Sequence, residues 1–144
     1  MNHWIASLAL VGGVLLAGPA LAQMERAPAP EGAEVYFISP QDGATVENPV
    51  TVRMGLKGMG VAPAGTQSDG TGHHHLLIDT PLDEVNLDQP LPADEGKRHF
   101  GGGQTETTLE LEPGEHSLQL LFMDGRHVSF DPPVTSELIT ITVQ

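Results

Sequence analysis

Val50-Thr51-Val52-Arg53-Met54-Gly55-Leu56 sets Val50, Val52, Met54 and Leu56 on one side of an extended chain and Thr51, Arg53 and Gly55 on the other. Successive side chains of a strand point to opposite faces, so a period of two marks a strand with one buried face. The pattern recurs with Leu109 and Leu111 in residues 107–112, with Leu118, Leu120 and Phe122 in residues 116–123, and with Ile139, Ile141 and Val143 in residues 137–143. Two shorter apolar runs join them: residues 35–39, stopped by Pro40 and the Asp42-Gly43 turn, and residues 73–79, stopped by Pro81. Pro113-Gly114 and Asp124-Gly125 supply further turns, and five glycines between Gly58 and Gly72 mark a loop. No stretch carries a helical period of useful length. Short strands separated by turn signals predict an all-β protein, an antiparallel β-sandwich of about seven strands.

The ends of this pattern sharpen the expectation. Ser39-Pro40-Gln41-Asp42-Gly43-Ala44-Thr45-Val46, followed by Pro49-Val50-Thr51-Val52, resembles the opening strands of bacterial immunoglobulin-like domains. Residues 111–118, the Asp124-Gly125 turn and the closing Ile139-Thr140-Ile141-Thr142-Val143 resemble their last strands. The sandwich is therefore assigned to residues 35–144. Ahead of it, residues 23–34 are rich in Ala, Pro and Glu and read as a flexible leader that packs poorly. Residues 1–22 hold an apolar run from Trp4 to Ala17 and end in Gly-Pro-Ala-Leu-Ala. That is the pattern of a secretory signal peptide cut after Ala22, and it is too short for a stable membrane span. The expected location is the periplasm or the exterior, with no stable membrane anchor.

The chain has 19 acidic and 6 basic residues, for a formal net charge of −13. Such a field repels nucleic acid and anionic membranes and attracts cations. It also suits a solvated surface in a salty medium. The chain has no Cys, which excludes disulfides, a thiol nucleophile and a lipid anchor on an N-terminal Cys. Residues 80–96 form a long connection with three prolines and five acidic residues, and connections of that length are usually functional or mobile.

Gly70-Thr71-Gly72-His73-His74-His75-Leu76-Leu77-Ile78-Asp79 carries the chemistry. On a strand His73 and His75 share a face, while His74 turns away with Leu76 and Ile78. Two imidazoles at i and i+2 can chelate one ion, and imidazole suits copper, zinc, nickel and iron. Further ligands must come from elsewhere. His99, before a glycine-rich bend, and His127, after the Asp124-Gly125 turn, are the candidates, with Asp79 and Asp124 as carboxylate alternatives. Met54, Met59 and Met123 offer thioethers for cuprous copper; Met59 is the best placed of them, and core packing is the expected use of Met54. His74 and His116 read as structural histidines, each held by hydrogen bonds. For His73 and His75 the metal and structural readings both stay open.

Three blocks, Gly72-His73-His74-His75-Leu76-Leu77-Ile78-Asp79, His99-Phe100-Gly101-Gly102-Gly103-Gln104-Thr105-Glu106 and Asp131-Pro132-Pro133-Val134, resemble an uncharacterised family of bacterial exported domains, the domain of unknown function numbered 4399. The resemblance implies no activity. It does imply that the His triplet and the Gly101–Glu106 segment are family features, and that relatives often carry a second His shortly after the position of His127, where this chain has Phe130. Residues 101–106 are not a phosphate loop, because Gln, Thr and Glu follow the glycines and a strand comes next. Those glycines read as sites of positive φ or of close backbone approach, letting His99 and Gln104 crowd toward the triplet.

These features favour a binding module over an enzyme. No Gly-x-Ser-x-Gly elbow is present. Copper-zinc superoxide dismutase, another sandwich using His-x-His, is the nearest enzyme comparison. The leading expectation is an exported module that binds a transition metal, copper first and zinc next, through His73, His75, His99 and His127. The alternative is a metal-free structural or protein-interaction module for a periplasmic partner, with the histidines anchoring the acidic loop. A calcium site in that loop lacks the regular spacing of oxygen ligands.

Overall fold

In a computed structural model of the chain, Gly18 and residues 22–144 are described. The expected signal peptide thus lies, apart from Gly18 and Ala22, outside the described residues. Among the described residues there are ten strands: β1 (Glu34–Ser39), β2 (Thr45–Val46), β3 (Val50–Lys57), β4 (Gly60–Val61), β5 (Thr71–Ile78), β6 (Lys97–His99), β7 (Glu106–Leu109), β8 (Gly114–Met123), β9 (Ser129–Thr135) and β10 (Ile139–Val143). They form two sheets. One has the order β1-β3-β7; the other runs β2-β10-β8-β5-β4, with β6 pairing β5 and β9 pairing β8. β10, β8 and β5 stand where an immunoglobulin sandwich has strands G, F and C, and β1, β3 and β7 stand for A, B and E. The two-residue strands pair in parallel, β2 with β10 and β4 with β5; the other pairings are antiparallel. The fold is the immunoglobulin-like β-sandwich expected from the alternation.

The alternating residues meet between the sheets. Val50, Val52 and Met54 of β3, Leu118, Leu120 and Phe122 of β8, and Ile139, Ile141 and Val143 of β10 all belong to one buried core. β5 adds Leu76 and Ile78 from one of its faces. Its other face is buried too. There Leu77, Leu121, Met123 and Leu91 form a second small core, against which Leu82, Val85 and Leu87 pack. The acidic connection of residues 80–96 is therefore a cover: it lays its apolar residues over the outer face of β5 and β8 and leaves its carboxylates outside. Burial on both faces explains why residues 73–78 read as a continuous run and not as an alternation.

Seven strands have four or more residues, as expected; β2 and β4 are two residues long and β6 is three, too short to show a period. Two expectations need correction. β9 was not expected because it contains Pro132 and Pro133. It tolerates them because the ladder skips: Phe122 pairs Val134, Met123 pairs Ser129, and the intervening residues bulge away from β8. Lastly, residues 23–34 are packed, not loose. Pro28 bridges Asp131 in parallel, with the Asp131 amide donating to Ala27 at 2.8 Å and the Ala29 amide to Asp131 at 2.9 Å. Arg26 bonds the Asp131 carboxylate at 3.0 Å, and Ala27, Ala29 and Ala33 lie on the main core. Small residues can line an extended segment against a sheet edge, which composition alone does not reveal.

The second core should be what holds the acidic connection. Leu121→Ala is expected to cost about 2–4 kcal/mol, as for other buried leucines, and to raise amide exchange selectively across residues 82–91. Hydrogen exchange read by mass spectrometry checks this; a uniform rise across the whole domain would show that the cover has no separate anchoring.

Candidate metal centre

β5 is a central strand, paired along one edge with β8 and along the other with β6 and β4. Its parity sends His73 and His75 outward and His74 inward. His75 pairs directly with His99 of β6, and His73 with Met123 of β8. Directly opposed residues of antiparallel strands share a face, so His99 joins His73 and His75. His127 arrives from the turn between β8 and β9. All four predicted imidazoles meet beside the second core. Every pair of their ring centroids lies between 4.6 Å (His99 with His127) and 5.7 Å (His75 with His127).

The nitrogens converge more closely still. His73 Nε2 lies 3.0 Å from His75 Nε2 and 3.0 Å from His127 Nδ1. The ligand atoms of His73, His99 and His127 all lie within 4.8 Å of one another, a set that His75 adjoins through His73 without joining. A ring nitrogen has a single in-plane site, either a proton or a lone pair. His73 Nε2 can therefore satisfy one of its two neighbours by a hydrogen bond and leaves the other facing it without a proton to share. Tetrahedral nitrogen ligands at about 2.0–2.1 Å from an ion stand about 3.3 Å apart, so these two contacts are close to the spacing that a shared ion would set.

The electrostatics disfavour the charged form of His73, His75 and His127. Burial, with the like charge that His127 and His99 would carry, lowers the pKa of His73 to about 4. Burial and then His73, His99 and His127 lower His75 further, and burial followed by His99 lowers His127. The Asp124 carboxylate acts in the opposite sense on His73 and His127. Neutral imidazole is the metal-binding form. His73 and His75 are buried, His127 is half-buried and His99 is exposed, so the cluster has a solvent-facing side.

Backbone geometry places the two remote ligands. His127 has φ of 64°, a left-handed conformation uncommon for residues other than glycine. Asp124 holds it there. Its Oδ1 accepts from the Arg126 and Val128 amides at 2.8 and 3.1 Å, its Oδ2 accepts from the Arg126 side chain, and its carbonyl accepts from the His127 amide. Asp124 thus serves the turn and not as a ligand. His99 is placed by β6 and by Gly101: a Cβ on Gly101 would collide with the His99 ring. Of the triple glycine, Gly103 has positive φ at 82° and Gly102 donates to Gln104 Oε1.

The remaining candidates lie apart from the cluster. Asp79 accepts from His116 Nδ1 at 2.6 Å and from the Ser117 amide at 2.8 Å, while His116 Nε2 bonds the Glu112 carbonyl. His116 is structural as expected, and its hydrogen bond to the Asp79 carboxylate, with that to the Glu112 carbonyl, raises its pKa. Met54 sits in the main core and Met59 packs on it; Met123, across from His73, is the thioether on the cluster's own face. Phe130 stacks on Phe122 in the main core, so a histidine there would point away from the cluster. Among the described residues no histidine side chain bonds the acidic connection; His127 holds it through its backbone carbonyl, which accepts from the Leu91 amide.

His74 departs from its expected satisfied state. Both its ring nitrogens are buried without partners, and the ring meets Phe122 edge to face at 5.1 Å.

A β-sandwich carrying a four-histidine cluster on the outer face of its larger sheet describes a candidate metal-binding domain. The chain belongs to the family described as a domain of unknown function (DUF4399), whose model matches residues 52–144, a span that includes all four histidines. Comparison with curated proteins and with solved structures finds no match.

His74 provides a direct test of the packing. Burial alone lowers its pKa to about 4, below its unfolded value near 6.5. The unfolded chain therefore binds the extra proton, and the associated stability is full above about pH 6.5 and is lost as pH falls toward 4. His74→Leu, close in volume, should be neutral or stabilising by about 1–2 kcal/mol at pH 7. It should also flatten the decline near pH 5 by about 1 kcal/mol per pH unit. Urea melts at pH 7 and pH 5 decide; a large loss at both would mean that His74 has a partner in solution.

Proposed function

We propose that this protein is an exported, non-enzymatic module that binds one transition-metal ion through His73, His75, His99 and His127. The observation that carries the reading is the convergence of His75 Nε2 and His127 Nδ1 on His73 Nε2, each at 3.0 Å, where protons can satisfy only one of the two contacts. Depressed basicity at His73, His75 and His127 supports it, because a site already neutral need release few protons when it takes up a cation.

An all-imidazole set ranks the ions. Cupric copper stands highest among the first-row divalent ions, with zinc next in suitability for a compact tetrahedral site. Cuprous copper would want thioethers, and the cluster's own face offers one, Met123, against four imidazoles. Copper(II) is therefore placed first. The net charge of −13 would draw cations toward the domain at low ionic strength. A periplasmic role in holding, buffering or delivering the ion follows from the signal-peptide pattern. The metal-free alternative is less well supported, since the acidic connection is fastened by leucines and a backbone bond and not by imidazoles.

Calorimetric titration of the untagged protein with Cu(II), Zn(II), Ni(II) and, under reductant, Cu(I) tests the proposal. One tight equivalent of Cu(II) is expected, lost in the His73→Ala/His75→Ala double variant while the far-ultraviolet spectrum is kept. Scattered weak binding that survives the double substitution would sink it.

A further inference from the structure

Given the metal site proposed above, on which this reading rests, we infer that His99 is its exchangeable ligand, the arm through which the ion enters from and leaves to an incoming donor. The four imidazoles are not held alike. His73 and His75 stand on β5, which is paired on both edges, and their side chains are 0% and 1% exposed. His127 is locked in its turn by the bonds to Asp124. His99 alone of the four is exposed, and it closes a three-residue strand whose register pairs are to β5.

Its surroundings fix the backbone and leave the ring one open side. Phe100 is anchored behind it, with its amide on the His74 carbonyl and its side chain in the main core. Gly101 lies against the imidazole: a Cβ there would overlap His99 Nε2 and Cε1 and stand 3.2 Å from the Ala64 Cβ. Gly101 does not have positive φ, so its backbone does not require glycine; the ring beside it does. The exposed side of His99 is the direction in which the imidazole can leave the ion while the strand stays paired.

The exchange step is a ligand substitution. The bond from the metal to the His99 nitrogen breaks first, and the incoming donor then bonds at the vacated position. The imidazole keeps its lone pair, and the oxidation state does not change. His73 and His127, with His75 beside His73, hold the ion meanwhile. The fitting acceptor is a nitrogen, oxygen or sulfur donor able to reach the solvent side beside β6, whether a small chelator or a side chain of an acceptor protein.

Stopped-flow transfer of Cu(II) from the loaded, untagged protein to EDTA over a range of EDTA concentrations tests this. For the wild type the rate should rise and then level off at the rate of His99 release. His99→Ala should still take up one equivalent, more weakly, and release it about tenfold or more faster, with a rate linear in EDTA. Gly101→Ala keeps the imidazole but crowds it, and should shift release by about tenfold or more, within the range seen for groups that orient metal ligands. The inference is overturned if His99→Ala loses stoichiometric binding as fully as His73→Ala, or releases at the wild-type rate. If the wild type binds no ion at all, the metal site itself fails and the exchange arm with it.

Discussion

The register of β5 against β8 is the constraint on which the rest depends. His73 opposes Met123, His74 opposes Phe122 and Ile78 opposes Leu118. Because side chains alternate, a slip of one residue would send His73 and His75 into the main core and bring His74, Leu76 and Ile78 to the outer face. The slip is blocked from both sides. Leu76 and Ile78 are committed to the core between the sheets, and Leu77 to the small core beneath the acidic connection. Gly72 adds a steric stop, since a Cβ at that position would overlap the Met123 carbonyl. The paired histidines are thus aimed by apolar packing at the far end of their own strand.

The same burial sets their chemistry. Four imidazoles within 5.7 Å of one another cannot all be protonated at ordinary pH, because each new charge is opposed by its neighbours and by poor solvation. Burial leads for His73, His75 and His127 alike, and mutual repulsion comes after it. His73 Nδ1 is buried without a partner as well, so the polar groups are costly where they stand. An apolar outer face, like the one formed by Leu77 and Leu121 two residues away, would be the more stable solution for a sandwich with no ligand to hold.

How much of this is legible in the sequence depends on distance along the chain. The period-two strands β3, β8 and β10 declare themselves, because each has one wet face. The pairing of His73 with His75 follows from parity alone. The convergence of His99 and His127 on that pair needs the strand order, and only their position beside turns hinted at it. β9 stayed hidden behind Pro132 and Pro133, whose bulge removes the need for ladder donors. The packed leader was hidden for a different reason: Ala27, Ala29 and Ala33 contribute little apolar area each, yet lie flat against the core. Asp124 was visible as a carboxylate beside His127, but its turn role needs the backbone amides that it accepts.

His127 is the most informative residue about what the cluster is for. At φ of 64° a glycine or asparagine would sit with less strain. Backbone strain at a residue that is not glycine persists only where surrounding structure over-determines it, and it gathers at functional sites. Here Asp124 supplies that over-determination, with Oδ1 accepting from two amides and Oδ2 from the Arg126 guanidinium. A turn built only to join β8 to β9 has no use for an imidazole at its tightest point. A turn built to present Nδ1 to His73 does, and the cost of the left-handed backbone is then the cost of fixing that imidazole in the cluster.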